Sequence, residues 1–300
     1  MPPPTTISEQ ARAKLVKPPV SILSSVSSLE EQRRLIDARQ ARDAAQCLKI
    51  YPAQVSDSNL AGVPVRIVTP VTPDPANADR VLINLHGGGF RTDTGSLLES
   101  IPIANLTRIK VVAVLYGLAP EHPFPVPVDQ TIAVYRELLK TYAPDKIALY
   151  GTSAGAILTA QSAAKIKQLG LPLPAVLGIL SGTGDSSQAG DSMALFGMQG
   201  LSGTLLPRST GPSAPDLKDP IRSPLYSDLK GMPPTLFLTS TRDMLLSGTV
   251  ILHRAFLEAG VDAHLIVYEA LPHAFWLDPN LPESQSANRH IAEFLKGHLR

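Results

Sequence analysis

Between positions 150 and 155 the chain runs Tyr150-Gly151-Thr152-Ser153-Ala154-Gly155, a serine with a glycine two residues away on either side. An apolar run, Lys146–Tyr150, precedes it and a small-residue helical stretch from Ala154 follows. G-x-S-x-G in that setting is the pattern of a nucleophile elbow, a strand-to-helix turn too tight for a Cβ at either glycine. The turn holds the serine clear of the sheet at the positive end of the following helix. Without that context the pentapeptide would be a Gly-rich turn with an inert serine.

A serine hydroxyl attacks a carbonyl only if a base takes its proton and a carboxylate steadies the resulting imidazolium. On sheets of this kind the partners follow the serine in the order acid, then histidine. Among seven histidines, His273 stands in Leu271-Pro272-His273-Ala274-Phe275, directly after the run His264–Tyr268. His290 also lies late, but inside the final helical stretch. Asp243 ends Thr239-Ser240-Thr241-Arg242-Asp243 and is the expected acid. It is also placed to cap the helix expected at Leu245–Ala259, and both roles are compatible. Asp219 falls in a loop-rich insertion, Asp262 lies at the far end of a strand, and Asp278 follows the histidine.

Acyl transfer also builds negative charge on the carbonyl oxygen, which preorganised N–H groups must meet. Leu85-His86-Gly87-Gly88-Gly89-Phe90 follows the run Val81–Leu85 and offers close-approaching backbone. The expected donors are Gly87, Gly88 and Ala154. A phosphate-binding turn is excluded, since neither G-x-G-x-x-G nor a P-loop lysine is nearby. His86 is expected to hold the loop rather than to react.

These residues need a scaffold, and the apolar pattern supplies one. Short runs at Val81–Leu85, Val111–Tyr116, Lys146–Tyr150, Val176–Leu180, Thr235–Thr239 and His264–Tyr268 suit strands buried on both faces. Helical stretches at Ser96–Leu106, Val126–Tyr142, Ala154–Leu169, Leu245–Ala259 and Ser286–Leu299 alternate with them. Strand then helix, repeated, is an α/β pattern with a mostly parallel sheet flanked by helices. Strands near Cys47–Gln54 and Pro64–Thr69 should add an antiparallel edge. Residues 1–45 are polar and helical in character. The stretch Gly182–Pro220 breaks the alternation, and its apolar middle, Met193–Met198, suggests a short helix in a lid.

Composition agrees with a core-forming globular chain: 300 residues, 44% apolar, 18% charged, with a net charge of +1. That balance leaves no electrostatic footprint for nucleic acid. Cys47 is the lone cysteine, so no internal disulfide can form. The N-terminus lacks a basic and apolar leader, and apolar runs such as Val111–Leu115 are far too short to span a bilayer. A cytoplasmic protein without stable membrane insertion, monomer or homodimer, is the expectation.

Taken together, His86-Gly87-Gly88-Gly89, Tyr116-Gly117-Leu118-Ala119-Pro120-Glu121-His122-Pro123, Gly151-Thr152-Ser153-Ala154-Gly155, Asp243 and His273-Ala274-Phe275 resemble the bacterial hormone-sensitive lipase-like carboxylesterases of the α/β-hydrolase superfamily. Order and spacing match from about residue 45 onward. The resemblance implies an eight-stranded α/β-hydrolase core (46–181 and 221–300) and a helical cap built from 1–45 and 182–220. It implies hydrolysis of short- to medium-chain acyl esters through an acyl-enzyme, with no cofactor or metal. Thr152 resembles one branch of the family, the Gly-Thr-Ser-Ala-Gly type. Ligand-binding receptors of the same fold and amide hydrolases are the alternatives. The pattern departs at Gly117, where the family usually carries Arg, and at Met244-Leu245 after the acid.

Overall fold

The computed structural model describes residues 2–16, 28–188, 190–198 and 216–300. Of the expected insertion, residues 199–215 lie outside the described residues, as do 17–27 of the N-terminal stretch.

The eight strands are β1 (Ala53–Leu60), β2 (Val63–Pro70), β3 (Val81–Leu85), β4 (Lys110–Val114), β5 (Ile147–Thr152), β6 (Val176–Leu180), β7 (Thr235–Arg242) and β8 (Ala263–Pro272). They form one sheet in the order β1-β2-β4-β3-β5-β6-β7-β8. β2 pairs antiparallel with both β1 and β4, and every pairing from β4 to β8 is parallel.

The continuous apolar runs follow from burial on both faces. Along β3, Val81, Ile83 and Leu85 pack to one side and Leu82 to the other; Phe237 of β7 opposes Leu236 and Leu238 in the same way. Helices α4 (Val126–Leu138), α5 (Ala154–Gln168) and α7 (Leu246–Glu258) cover the first face through Val134, Ile166, Leu252 and Phe256. Helices α3 (Ser100–Thr107) and α8 (Pro282–Gly297) cover the second through Ile101, Ile103, Ile291 and Leu295. Each such side chain contributes about 1.5–3 kcal/mol on burial.

The strand expected at Cys47–Gln54 is a correction. Helix α2 (Leu29–Ile50) runs from its Ser28 cap through that segment, burying Gln40, Ala44 and Cys47 along one stripe. Three- and four-residue spacing fits a helix, and β1 begins only at Ala53. β1 is almost wholly exposed, so it carries no apolar signal and is held by its ladder with β2. A shorter helix, α1 (Glu9–Val16), precedes α2, and α6 (Asp191–Met198) forms where the apolar middle of the insertion suggests. Among the described residues, no helix is long and apolar enough to cross a membrane.

Candidate active site

Ser153 sits between β5 and α5 at φ 58° and ψ −118°. A positive φ at a residue with a Cβ costs on the order of 1–3 kcal/mol and persists only where neighbours impose it. Here Ser153 N–H donates to Leu180 O at 2.9 Å, and Ile157 N–H donates to Ser153 O at 3.0 Å. The flanking glycines explain the tightness. A Cβ on Gly151 would lie 2.3 Å from Leu85 O, and one on Gly155 only 1.7 Å from the same atom.

The edge of the sheet brings the partners together. Arg242 of β7 pairs with Pro272 of β8 across a local register shift, so Asp243 and His273 leave their strands side by side. His273 Nδ1 lies 2.8 Å from Asp243 Oδ1, and Nε2 lies 2.9 Å from Ser153 Oγ. The Asp243 side chain is fully buried, whereas His273 remains 21% exposed. Burial pushes the Asp243 carboxyl up. His273, Ser181 and the Leu245 N–H together outweigh that and hold it below the usual carboxylate range. Leu245 N–H donates to Asp243 Oδ1 at 2.8 Å, so the aspartate also fixes the entry to α7, one residue before the helix begins.

Sequence reasoning missed Ser181. Its hydroxyl donates to Asp243 Oδ2, and its oxygen lies 2.9 Å from His273 Nδ1. Thr239 Oγ1 donates to the same carboxylate oxygen at 3.2 Å. The available signal was positional. Ser153, Ser181, Asp243 and His273 are each the first residue after β5, β6, β7 and β8, four strands adjacent in the sheet.

The glycine loop corrects one expectation. Gly87 N–H donates to Glu99 Oε1 at 2.9 Å, so this amide is already committed behind the loop. Gly87 O accepts from Thr94 N at 3.2 Å and lies 2.9 Å from His86 Nδ1, while Gly88 O accepts from Arg91 N and Thr92 N, both at 3.1 Å. A trans peptide turns its N–H opposite to its carbonyl. With both carbonyls tied back, the amides of Gly88 and Gly89 face away from the loop's own bonds, and neither has an acceptor among the described residues. Gly88 adopts φ +127°, and a Cβ there would fall 1.9 Å from Thr92 O. Ala154 opens α5, where the first N–H groups of a helix have no intrahelical carbonyl. The loop lies against the elbow, since a Cβ on Gly87 would sit 3.5 Å from Ser153 Cβ. His86 holds this loop, stacked on Tyr116 with ring centroids 4.2 Å apart.

The other candidates lie elsewhere. Asp219 caps the turn at Ile221 and Arg222, Asp262 pairs with His264 at the amino end of β8, and Asp278 pairs with Lys14. His290 is on α8.

A family profile described as alpha/beta hydrolase fold matches residues 82–277. A crystallised esterase superimposes with a TM-score of 0.85 at 33% identity, covering 100% of this chain and 97% of that one. A crystallised esterase from the bacterial hormone-sensitive lipase family superimposes with a TM-score of 0.77 at 31% identity, over 92% of this chain and 93% of that one. The chain belongs to this family of α/β-hydrolases. An acetyl-hydrolase of Streptomyces hygroscopicus is 29% identical over 245 residues, 74% of this chain and 77% of its own. The protein is thus a hormone-sensitive lipase-like serine carboxylesterase.

In this carboxylesterase the departure at Gly117 has a local cause. A Cβ there would lie 2.6 Å from the His122 ring, so the loop as folded admits no side chain. Glu121 is paired with a guanidinium from α2. Arg33 bonds both its oxygens at 2.8 Å and also reaches Arg91 O at 2.8 Å and Ala119 O at 2.9 Å. That pairing draws the Glu121 carboxyl down to about 2.

Proposed function

We propose that Ser153 is the nucleophile, His273 the general base and Asp243 its orienting acid, in hydrolysis of short- to medium-chain acyl esters. The observation that carries this reading is the unbroken line of bonds from Ser153 Oγ through the imidazole to Asp243, with the serine held at positive φ. Ser153 Oγ attacks the ester carbonyl as its proton passes to His273 Nε2. The oxyanion meets the N–H groups of Gly88, Gly89 and Ala154. The tetrahedral intermediate collapses, Nε2 returns the proton to the leaving alkoxide, and the alcohol departs from acyl-Ser153. Water repeats the sequence and releases the acid. The test is covalent. A fluorophosphonate should label Ser153 and stop turnover; labelling of another residue would sink the assignment.

Residues 1–45 and 182–220 are proposed as the cap over the core segments 46–181 and 221–300. Two anchors support this. Arg33 ties α2 to the loops after β3 and β4, and Ser192 of α6 donates to Met244 O at 2.8 Å beside Asp243. The boundary is not sharp, because α2 continues into the core beyond residue 45. The Thr152 elbow supports membership of the Gly-Thr-Ser-Ala-Gly branch.

A roofed pocket limits the acyl chain. Each methylene gains about 0.8 kcal/mol only while apolar wall remains to meet it. kcat/KM on a series of p-nitrophenyl esters is therefore expected to peak at short acyl groups and fall steeply for long ones, in keeping with the acetyl-hydrolase relative. A preference for long-chain triglycerides would count against the cap.

A further inference from the structure

A second carboxylate lies buried behind the site and takes no part in the steps above. Glu99 is 3% exposed, just before α3. Its Oε1 accepts from Gly87 N–H and its Oε2 from Asn84 Nδ2, both at 2.9 Å. Its backbone oxygen accepts from Tyr150 OH at 3.1 Å, and the hydroxyl of Thr152, the residue before Ser153, is near enough to favour the charged form of its carboxylate. Thr152 Oγ1 is itself fixed by Trp276 Nε1 at 3.1 Å. Room for the carboxylate comes from Gly95, where a Cβ would lie 1.9 Å from Oε1. The side chain thus joins the oxyanion loop to the end of β3, and the backbone carbonyl of the same residue holds Tyr150 of β5, just before the elbow.

We infer that Glu99 is a positioning residue for the esterase reaction: by clamping Gly87 to Asn84 at the end of β3 it sets where the amides of Gly88 and Gly89 meet the oxyanion. This rests on the reading of Ser153 as nucleophile. The clamp works as the uncharged acid. None of its bonding partners is cationic, and burial raises its carboxyl to about 8. An acceptor for the acid proton is at hand, because Asn84 Oδ1 is buried without a partner among the described residues and a turn of that amide presents it to Glu99. The titratable and charged groups around it are Asp93, Tyr116, Tyr150, His86 and, through Asp93, Arg66. Asp93 opposes ionisation of Glu99, and both tyrosine hydroxyls are pushed well above their ordinary range by burial. Ionised Glu99 puts a negative charge directly behind a loop that must stabilise another. That opposes the transition state and not ground-state binding, so kcat should respond while KM does not.

The experiment compares wild type, Glu99→Gln and Glu99→Ala on p-nitrophenyl acetate, with kcat and KM measured across neutral and alkaline pH. Wild-type kcat should fall above a pH of about 8. Glu99→Gln keeps an acceptor for Gly87 and cannot ionise, so it should retain most of the neutral-pH kcat and lose that alkaline fall. Glu99→Ala should lose about 10²–10³ in kcat, the scale of one oxyanion donor, with KM little changed. An alkaline fall in Glu99→Gln identical to wild type overturns the inference, as does a folded Glu99→Ala with wild-type kcat. If Glu99→Ala does not fold, the Glu99→Gln profile decides alone. Failure of the underlying reading would look different, because wild-type Ser153 would then escape fluorophosphonate labelling.

Discussion

Ser153→Ala should reduce kcat by about a million-fold, the scale seen when a serine hydrolase loses its nucleophile. The substitution removes one oxygen. It leaves the Leu180 and Ile157 backbone bonds that hold the elbow, and alanine meets the same positive φ as serine. Melting should therefore stay close to wild type, which separates loss of chemistry from loss of fold. His273 Nε2 loses its 2.9 Å partner while Nδ1 keeps Asp243, so the ring stays in place as a base with nothing to deprotonate. A small residual rate is expected from the oxyanion amides, which do not depend on the serine hydroxyl. The measurement is single-turnover hydrolysis of an activated ester by purified protein, beside a thermal melt. A folded variant keeping a tenth of wild-type turnover would remove Ser153 from the mechanism.

How far the sequence alone leads depends on whether burial leaves a periodic trace. Strands β3 and β6 were legible to the residue, because both faces are buried and each appears as an unbroken apolar run. β1 was not, because its exposed polar residues carry no such trace. The Cys47 region misled for a related reason. Leu48 and Ile50, met after a polar helix, suggest a strand, while the stripe of Gln40, Ala44 and Cys47 is too small and too polar to announce a helix. At the site, the grouping of Ser153, Asp243 and His273, proposed above as nucleophile, acid and base, was legible because each stands at a strand end, and the three side chains lie in one hydrogen-bonded line. Gly87 was misassigned because three consecutive glycines look alike in sequence, and what distinguishes them is Glu99, twelve residues on, which engages the first amide. Ser181 and Arg33 were invisible because their roles exist only once β6 lies beside β7 and α2 lies over the glycine loop.

Asp243→Asn carries the second large effect, a fall of about 10⁴ in kcat, as for the same change in a serine protease. Two losses combine. The imidazolium formed as Ser153 attacks loses its buried counter-charge, and the tautomer is no longer enforced. In wild type Asp243 Oδ2 holds the Ser181 proton, so Ser181 oxygen can only accept at His273 Nδ1. In the variant, Leu245 N–H keeps the amide oxygen at the Oδ1 position and directs the new NH₂ toward Ser181 and Thr239. Ser181 then accepts from that NH₂ and is free to donate to Nδ1 instead. A proton given to Nδ1 from outside leaves the ring's own proton on Nε2, where it cannot receive another from Ser153. Removing the competing donor should therefore help: Asp243→Asn with Ser181→Ala should recover part of the lost kcat, while Ser181→Ala alone should have a small effect. Both variants should melt near wild type, since the Leu245 contact that opens α7 survives. Near-normal activity in Asp243→Asn would return Asp243 to a purely helix-entry role, and a double variant slower than the single would remove Ser181 from control of the tautomer.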